Sequence, residues 1–536
     1  MKTTRARRVR RAALFAVSAV GVAAAVITAG TGSSVASPAS GGANPVVRID
    51  GGLVRGVSAA GVSSFRGLPY AAPPAGNLRW RPPQPASSWS GVRDATQFGP
   101  GCPQALTGNP FLPPGTISED CLNLNVYTPT PRSGGDRPVL VWIHGGGLVQ
   151  DGGRNYDGSK LAAAGAVVVT INYRLGALGF LAHPALASHG AAGNYGLMDQ
   201  QAALRWVHRN IARFGGDPGN VTIAGQSAGG LSVLAQMVSA GARGLFQRAI
   251  VQSGAFALNQ RPLAAAEAAG ETFASSVGCP GQTAACLRSV PVSDLVANFG
   301  TEIPGVVDGA VLTQPIGTAL ARGQFTRVPV INGITHDEEL LFVAGLGITV
   351  SQGTNVPLAA PLDGSEATYQ ADIARALGVT DARAAAIAAE YPLSAYPNAV
   401  VAFSLLVTDS EFACPALQVD RQIAARGVPT YAYQFNDDNA PVNILGFSLG
   451  LATHGAELPY LFDQPATPVT LDPDQQALAA SMRTDWARFA ATGNPTSHAL
   501  PWPSFNGTRV LSLVPLHSQV TTDFATAHHC SFWAAG

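Results

Sequence analysis

A serine that attacks a carbonyl needs a base to take its proton, a carboxylate to hold that base, and amides to receive the oxyanion. In this 536-residue chain one serine stands at the centre of Gly225-Gln226-Ser227-Ala228-Gly229. It follows the apolar run Val221-Thr222-Ile223-Ala224 and precedes the helix-like stretch Gly230-Leu231-Ser232-Val233-Leu234-Ala235-Gln236-Met237-Val238. Strand, sharp turn and helix are the context of a nucleophile elbow, whose flanking glycines let the backbone turn tightly and lift Oγ clear of a sheet. The spelling alone is weak, because with 60 glycines in the chain about half a G-x-S-x-G match arises by chance. A second match does occur, Gly446-Phe447-Ser448-Leu449-Gly450. Ser448 follows no strand-to-helix elbow and leaves little chain for two more catalytic loops, so Ser227 is the expected nucleophile.

Upstream, His144-Gly145-Gly146-Gly147 ends an apolar run. Consecutive glycines there expose amides without Cβ obstruction, and with the amide of Ala228 they would form an oxyanion hole. In the order serine, acid, histidine, the partners belong at later strand ends. Val328-Pro329-Val330-Ile331-Asn332-Gly333 reads as a strand leaving into Thr335-His336-Asp337-Glu338-Glu339, where three adjacent carboxylates leave the acid open. Further on, His454 in Ala452-Thr453-His454-Gly455-Ala456-Glu457 is flanked by small residues that would let a ring project into a pocket. His498, His517, His528 and His529 compete with it.

These residues need a scaffold, and strand-like and helix-like segments alternate through the first half of the chain, which predicts an α/β fold with a mainly parallel sheet. Val139 to His144 and Ala166 to Tyr173 are apolar runs of the buried-strand kind. Leu204, Val207, Ile211 and Phe214 recur at helical spacing between Asp199 and Phe214, and Gly215-Gly216 stops that helix. The strand to Ser227, Arg248 to Gln252 and Val328 to Asn332 follow, so Ser227 falls at the carboxyl end of a central strand, where open α/β sheets place ligands. The second half is helical in places, as from Ala371 to Glu390, and its helices are expected to cap the sheet and wall a pocket. Nothing marks a split, so residues 40–536 read as a single domain.

With 46% hydrophobic residues and no net charge, the chain can bury a large core and has no electrostatic bias toward nucleic acid. Neither a metal-ligand spacing nor a phosphate loop is present, Asp151-Gly152-Gly153 and similar clusters read as turns, and no cofactor is expected. Lys2, Arg5, Arg7, Arg8, Arg10 and Arg11 precede an uncharged Ala/Val-rich run from Ala12 to Gly30 and the small residues Ser34-Val35-Ala36. Residues 1–36 therefore read as a secretory signal peptide, removed so that no membrane anchor remains, and the arginine pairs fit a twin-arginine signal loosely. All six cysteines lie in the exported part, where disulfides form. Loop lengths suggest Cys102 with Cys121 and Cys279 with Cys286, leaving Cys414 for Cys530. Asn220-Val221-Thr222 and Asn506-Gly507-Thr508 match glycosylation acceptors, but the first opens a strand and is read structurally.

The chain resembles the type-B carboxylesterases of the α/β-hydrolase fold, from about Val46 to the C-terminus. The resemblance is carried by Gly67-Leu68-Pro69-Tyr70-Ala71, Leu78-Arg79-Trp80, Glu119-Asp120-Cys121-Leu122-Asn123-Leu124-Asn125, Asn172-Tyr173-Arg174 and Asn194-Tyr195-Gly196-Leu197-Met198-Asp199-Gln200. It continues through Phe214-Gly215-Gly216-Asp217-Pro218, the elbow, Asp337-Glu338, His454-Gly455-Ala456-Glu457-Leu458-Pro459-Tyr460 and Cys530-Ser531-Phe532-Trp533. It implies a secreted, bacterial-type ester hydrolase acting on small esters, with Ser227 as nucleophile, Glu338 as acid, His454 as base and oxyanion donors on Gly146, Gly147 and Ala228. It also supports the cysteine pairing. Departures are Leu148 in place of an aromatic, Glu339 where glycine is common, and Gln226 where cholinesterases have glutamate. With no tryptophan between Cys102 and Cys121, a quaternary-ammonium platform is absent, which argues against a cholinesterase. A lipase or an amide-cleaving hydrolase on the same fold is the enzymatic alternative. The alternative of another class is a non-catalytic adhesion protein, against which the intact serine, acid, histidine and glycines stand.

Overall fold

In the computed structural model the described residues are 44–106, 115–130, 136–187, 192–300, 305–351, 354–357, 365–441, 443–444, 447–448, 451–497 and 501–535. The predicted signal segment, His498, and Gly446, Leu449 and Gly450 of the second serine pentapeptide lie outside them. Residues Asn44–Gly536 form one unit.

Its centre is an eleven-stranded sheet. In chain order the strands are β1 (Val57–Ala59), β2 (Val62–Pro69), β3 (Asn123–Pro129), β4 (Arg137–Ile143), β5 (Val167–Ile171), β6 (Gly216–Gln226), β7 (Arg248–Gln252), β8 (Val330–Thr335), β9 (Thr430–Phe435), β10 (Val510–Leu513) and β11 (Gln519–Thr521). Their spatial order is β11-β10-β9-β8-β7-β6-β4-β5-β3-β2-β1. From β5 to β10 every neighbouring pair is parallel, and the antiparallel pairs sit at the two edges.

The continuous apolar runs arise because both faces of the parallel centre are covered. Val139, Val141, Ile143, Val221 and Ile223 enter one core cluster, while their alternates Leu140, Trp142 and Ala224 enter another. The first face packs on helices α1 (Tyr195–Asn210), α2 (Ala228–Val238) and α3 (Cys414–Ala424), through Leu204, Val207, Leu231, Leu234 and Leu417. The second packs on α4 (Pro473–Thr492) through Leu478, Met482, Trp486 and Phe489. Each such large apolar side chain contributes about 1.5–3 kcal/mol on burial.

Helix α1 ends in a 3₁₀ turn, Ile211–Phe214, closed by Gly215 at φ 85°, so the expected stop holds and the four apolar residues are buried. Two expectations shift. The strand anticipated from Val328 begins at Val330, because Pro329 has no amide to donate; the first ladder bond runs from Val330 N–H to the Pro429 carbonyl. The helical stretch Ala371 to Glu390 is two helices, Glu366–Leu377 and Asp381–Glu390. Gly378 at φ 64° ends the first, and the Thr380 hydroxyl accepts the Arg383 amide to start the second. These helices pack on one another and on Phe403 and Leu406 in a cluster of their own.

The cysteines pair as Cys102–Cys121, Cys279–Cys286 and Cys414–Cys530. The apolar stretch Ala399–Ala424 is long enough to cross a membrane, yet Phe403, Leu406, Val407, Phe412 and Leu417 are buried in protein.

Candidate active site

Strand β6 delivers Ser227 to the carboxyl edge of the sheet, and α2 starts at the next residue. Ser227 is held at φ 58°, ψ −129°, a region that costs a non-glycine residue on the order of 1–3 kcal/mol. Its amide donates to the Gln252 carbonyl at 2.8 Å, and its carbonyl accepts from Leu231 N–H at 2.9 Å. The flanking glycines are required by close approach. A Cβ at Gly225 would lie 2.5 Å from the Gly229 carbonyl, and one at Gly229 only 2.1 Å from the Ile143 carbonyl oxygen.

His454 sits in a loop fastened to the end of β8, where Asp337 N–H donates to the Ala452 carbonyl at 2.8 Å. Its Nδ1 lies 2.5 Å from Glu338 Oε2, and both groups are buried. Glu338 Oε1 accepts the Thr335 amide at 2.8 Å, so each carboxylate oxygen has a fixed role. The neighbouring carboxylates turn elsewhere. Asp337 pairs with His336 Nδ1 at 3.0 Å, and Glu339 Oε1 accepts the Thr349 hydroxyl at 2.6 Å. Glu338 is the carboxylate that reaches His454, an assignment the three adjacent acids leave open in sequence. Phe342 and Phe412 flank the imidazole with ring centroids at 5.0 and 5.5 Å. The competing histidines belong to other surroundings: His528 bonds Asp409 and Gln434, His529 bonds Glu390, and His517 is exposed.

His454 Nε2 faces the elbow, 3.2 Å from Gln226 Nε2. Behind it lies a second buried carboxyl, Glu457, which accepts Gln252 Nε2 at 3.0 Å. Burial first, and then the Glu338 charge, push Glu457 up to about 7.

The glycine segment lies against the serine. A Cβ at Gly145 would lie 3.0 Å from Ser227 Cβ, and Gly146 and Gly147 take φ 79° and 63°. The Gly146 carbonyl accepts both Val149 and Gln150 amides at 3.1 Å. Tyr173 fastens this segment: its hydroxyl donates to the His144 carbonyl at 2.8 Å, and its ring stacks on His144 at 4.3 Å. Burial lowers His144 to about 3, so it is neutral, with Nδ1 3.1 Å from the Gly145 carbonyl. Next to Tyr173, Arg174 forms a buried two-pronged pair with Asp199 at 2.7 Å on each prong, fixing the end of β5 to α1.

Past the glycines, Val149 and Gln150 line a cavity of about 150 Å³ whose other walls include Leu178, Leu295 and Phe299. Ser448 lies in a two-residue strand paired with Asn443–Ile444. One element of the site was read only as a turn in the sequence: Asp151 is buried with its carboxylate bonded to Asn155 and Tyr156. The segment that carries Asp151, Asn155 and Tyr156 is a glycine-rich stretch with only a three-residue 3₁₀ turn, so no apolar periodicity marked the carboxylate as buried. Among the described residues no cluster of three metal-ligating side chains occurs.

Residues 43–533 match the family model described as "Carboxylesterase family". The chain is 38% identical over 493 residues to a rabbit (Oryctolagus cuniculus) protein named cocaine esterase, covering 87% of this chain and 91% of the other. It is 36% identical to the mouse (Mus musculus) pyrethroid hydrolase Ces2a, covering 86% of each. It is 35% identical to the rat (Rattus norvegicus) carboxylesterase 1D, covering 83% of this chain and 84% of the relative. With its α/β sheet, its elbow serine and a match along nearly its whole length, the chain belongs to the carboxylesterase family of α/β-hydrolases and is a serine hydrolase of small carboxylic esters.

Proposed function

We propose that Ser227, His454 and Glu338 carry this hydrolysis, with the amides of Gly146, Gly147 and Ala228 as the oxyanion hole. The observation that carries the assignment is the 2.5 Å contact between His454 Nδ1 and Glu338 Oε2. With Nδ1–H donated to the carboxylate, Nε2 keeps its lone pair and faces the elbow. His454 takes the Ser227 proton as Oγ attacks the ester carbonyl, and the negative oxygen of the tetrahedral intermediate rests on the three amides. The intermediate collapses to an acyl-Ser227 ester, and His454 returns the proton to the departing alcohol. Water then attacks the acyl group by the same steps, releasing the acid. No metal or organic cofactor enters this scheme.

Hydrolysis of p-nitrophenyl esters of increasing chain length by the purified protein, beside Ser227→Ala and Ser448→Ala, tests the reading. The first variant is expected to lose activity on every ester and the second to keep it. Activity that survives Ser227→Ala would reject the nucleophile.

The residues 40–536 are read as one catalytic domain, exported by a signal peptide at 1–36. The support is the basic N-terminus followed by the apolar run, together with three disulfides in the remaining chain. Mass analysis of the N-terminus of protein recovered outside the cells that express it checks this. An intact Met1–Ala36 segment on that material would contradict it.

A further inference from the structure

We infer that Asp151 is a positioning residue for the oxyanion hole, acting through Tyr156 and the backbone of Gly145 and Gly146. The inference rests on the oxyanion donors proposed above. Asp151 is a non-glycine residue at φ 83°, in a conformation that persists only where its surroundings over-determine it. They do so from both sides. Its amide donates to Gln104 Oε1 at 2.8 Å, and Gln104 Nε2 donates to its carbonyl at 2.9 Å. Gln104 lies two residues from Cys102, which is tied to Cys121.

The carboxylate is saturated with donors. Oδ1 accepts Gly152 N–H at 2.7 Å and Asn155 Nδ2 at 2.6 Å, and Oδ2 accepts the Tyr156 hydroxyl at 2.6 Å. Burial raises the carboxyl to about 6 against the pull of these bonds, so at neutral pH it is an acceptor only. Against the burial that raises the Tyr156 hydroxyl, the Gly145 backbone in turn draws its pKa down. The buried carboxylate and phenol therefore stand between the Gln104 anchor and the first glycine of the loop. A second contact reaches the next glycine: a Cβ at Gly146 would lie 3.0 Å from Asp151 Cβ and 2.4 Å from the Gln150 carbonyl oxygen. Both routes bear on the peptide between Gly145 and Gly146, which carries one of the proposed donor amides. Oxyanion donors act only when aimed at the developing charge, so a small displacement weakens transition-state binding more than substrate binding.

Asp151→Asn keeps the size and the bonds to Oδ1 but turns an NH₂ toward Tyr156, which then loses its acceptor. The test compares kcat and KM for p-nitrophenyl acetate with inhibition by a benzyl trifluoromethyl ketone, whose hemiketal on the nucleophilic serine places an oxyanion in the hole. Removing a donor outright costs about 10²–10³ in kcat. A displaced donor is expected to lower kcat about tenfold and weaken ketone inhibition by a similar factor, with KM within about twofold. Tyr156→Phe, which leaves the carboxylate in place, gives the same split at a smaller size and serves if Asp151→Asn does not fold. Wild-type kcat and ketone affinity in either folded variant overturns the inference, as does a loss confined to KM. Failure of the proposed donors shows differently: the wild-type enzyme itself would hydrolyse the ester without being inhibited by the ketone.

Discussion

The side-chain nitrogen of Gln226 lies 3.2 Å from His454 Nε2, the nitrogen proposed to take the Ser227 proton. With Nδ1 committed to Glu338, the Gln226 amide donates to the lone pair of Nε2. The imidazole at rest is thus held by a neutral neighbour, and a carboxylate there would favour its charged form. In Gln226→Glu the added negative charge favours the imidazolium over the neutral ring. Because the neutral imidazole is the proposed base, the acid limb of kcat/KM is expected to move up by about one pH unit, with the alkaline plateau retained. A pH–rate profile of the two proteins checks the direction. An unmoved limb would mean that Gln226 does not face the base during catalysis.

Glu338 is the buried carboxylate that meets His454, while Asp337 and Glu339 bond to His336 and Thr349. Glu338→Gln leaves the shape and reverses the hydrogen bond, favouring the wrong tautomer. The loss in kcat is expected to approach about 10⁴, the scale of the analogous change in other triads. Asp337→Asn and Glu339→Gln are expected to stay within about tenfold of wild type. Steady-state kinetics of the three variants ranks them, and a reversed ranking moves the acid.

Gly229 belongs to the elbow for steric reasons. An alanine methyl would stand 2.1 Å from the Ile143 carbonyl oxygen, which is backbone within the sheet. Gly229→Ala is expected to destabilise the fold by about 2 kcal/mol or more, the scale of overpacking a tight interior. The urea midpoint measures this.

Much of this was legible in the sequence because steric and packing demands at the elbow are local. The apolar run before Ser227 and the glycines around it follow from one strand entering one helix, and Arg248 to Gln252 is a strand with the same bounds in sequence and structure. The helix break at Gly378 was not, since an alanine-rich stretch keeps its periodicity through a single left-handed residue. Nor could spacing choose among Asp337, Glu338 and Glu339, because their directions depend on how Thr335 N–H, Thr349 and Thr408 receive that turn. Asp151 was hidden for a related reason: Asp-Gly-Gly has the composition of a turn, and the Gln104 side chain that holds its backbone comes from 47 residues away.

A buried carboxyl away from the site gives a stability prediction. Asp420 on α3 accepts Asn332 Nδ2 at 3.0 Å, and burial pushes it up to about 8. Its folded pKa lies above the unfolded value of 3.8, so between these limits the folded state holds the proton that the unfolded state has released. Its contribution to stability therefore declines as pH rises from about 4 to 8 and is constant above that range. Asp420→Asn, which keeps an oxygen for Asn332, is expected to raise the melting temperature at pH 8 by about 2 °C or more and to leave it unchanged near pH 4. Calorimetry at the two pH values checks the sign, and a benefit confined to acid would contradict it.

The catalytic assignment is tested most directly by labelling the active protein with a fluorophosphonate and mapping the modified residue by tandem mass spectrometry. The expected result is one adduct, on Ser227, formed in step with loss of esterase activity and greatly slowed in His454→Ala. An adduct on Ser448 or any other serine, or full inactivation with Ser227 unmodified, would contradict the account.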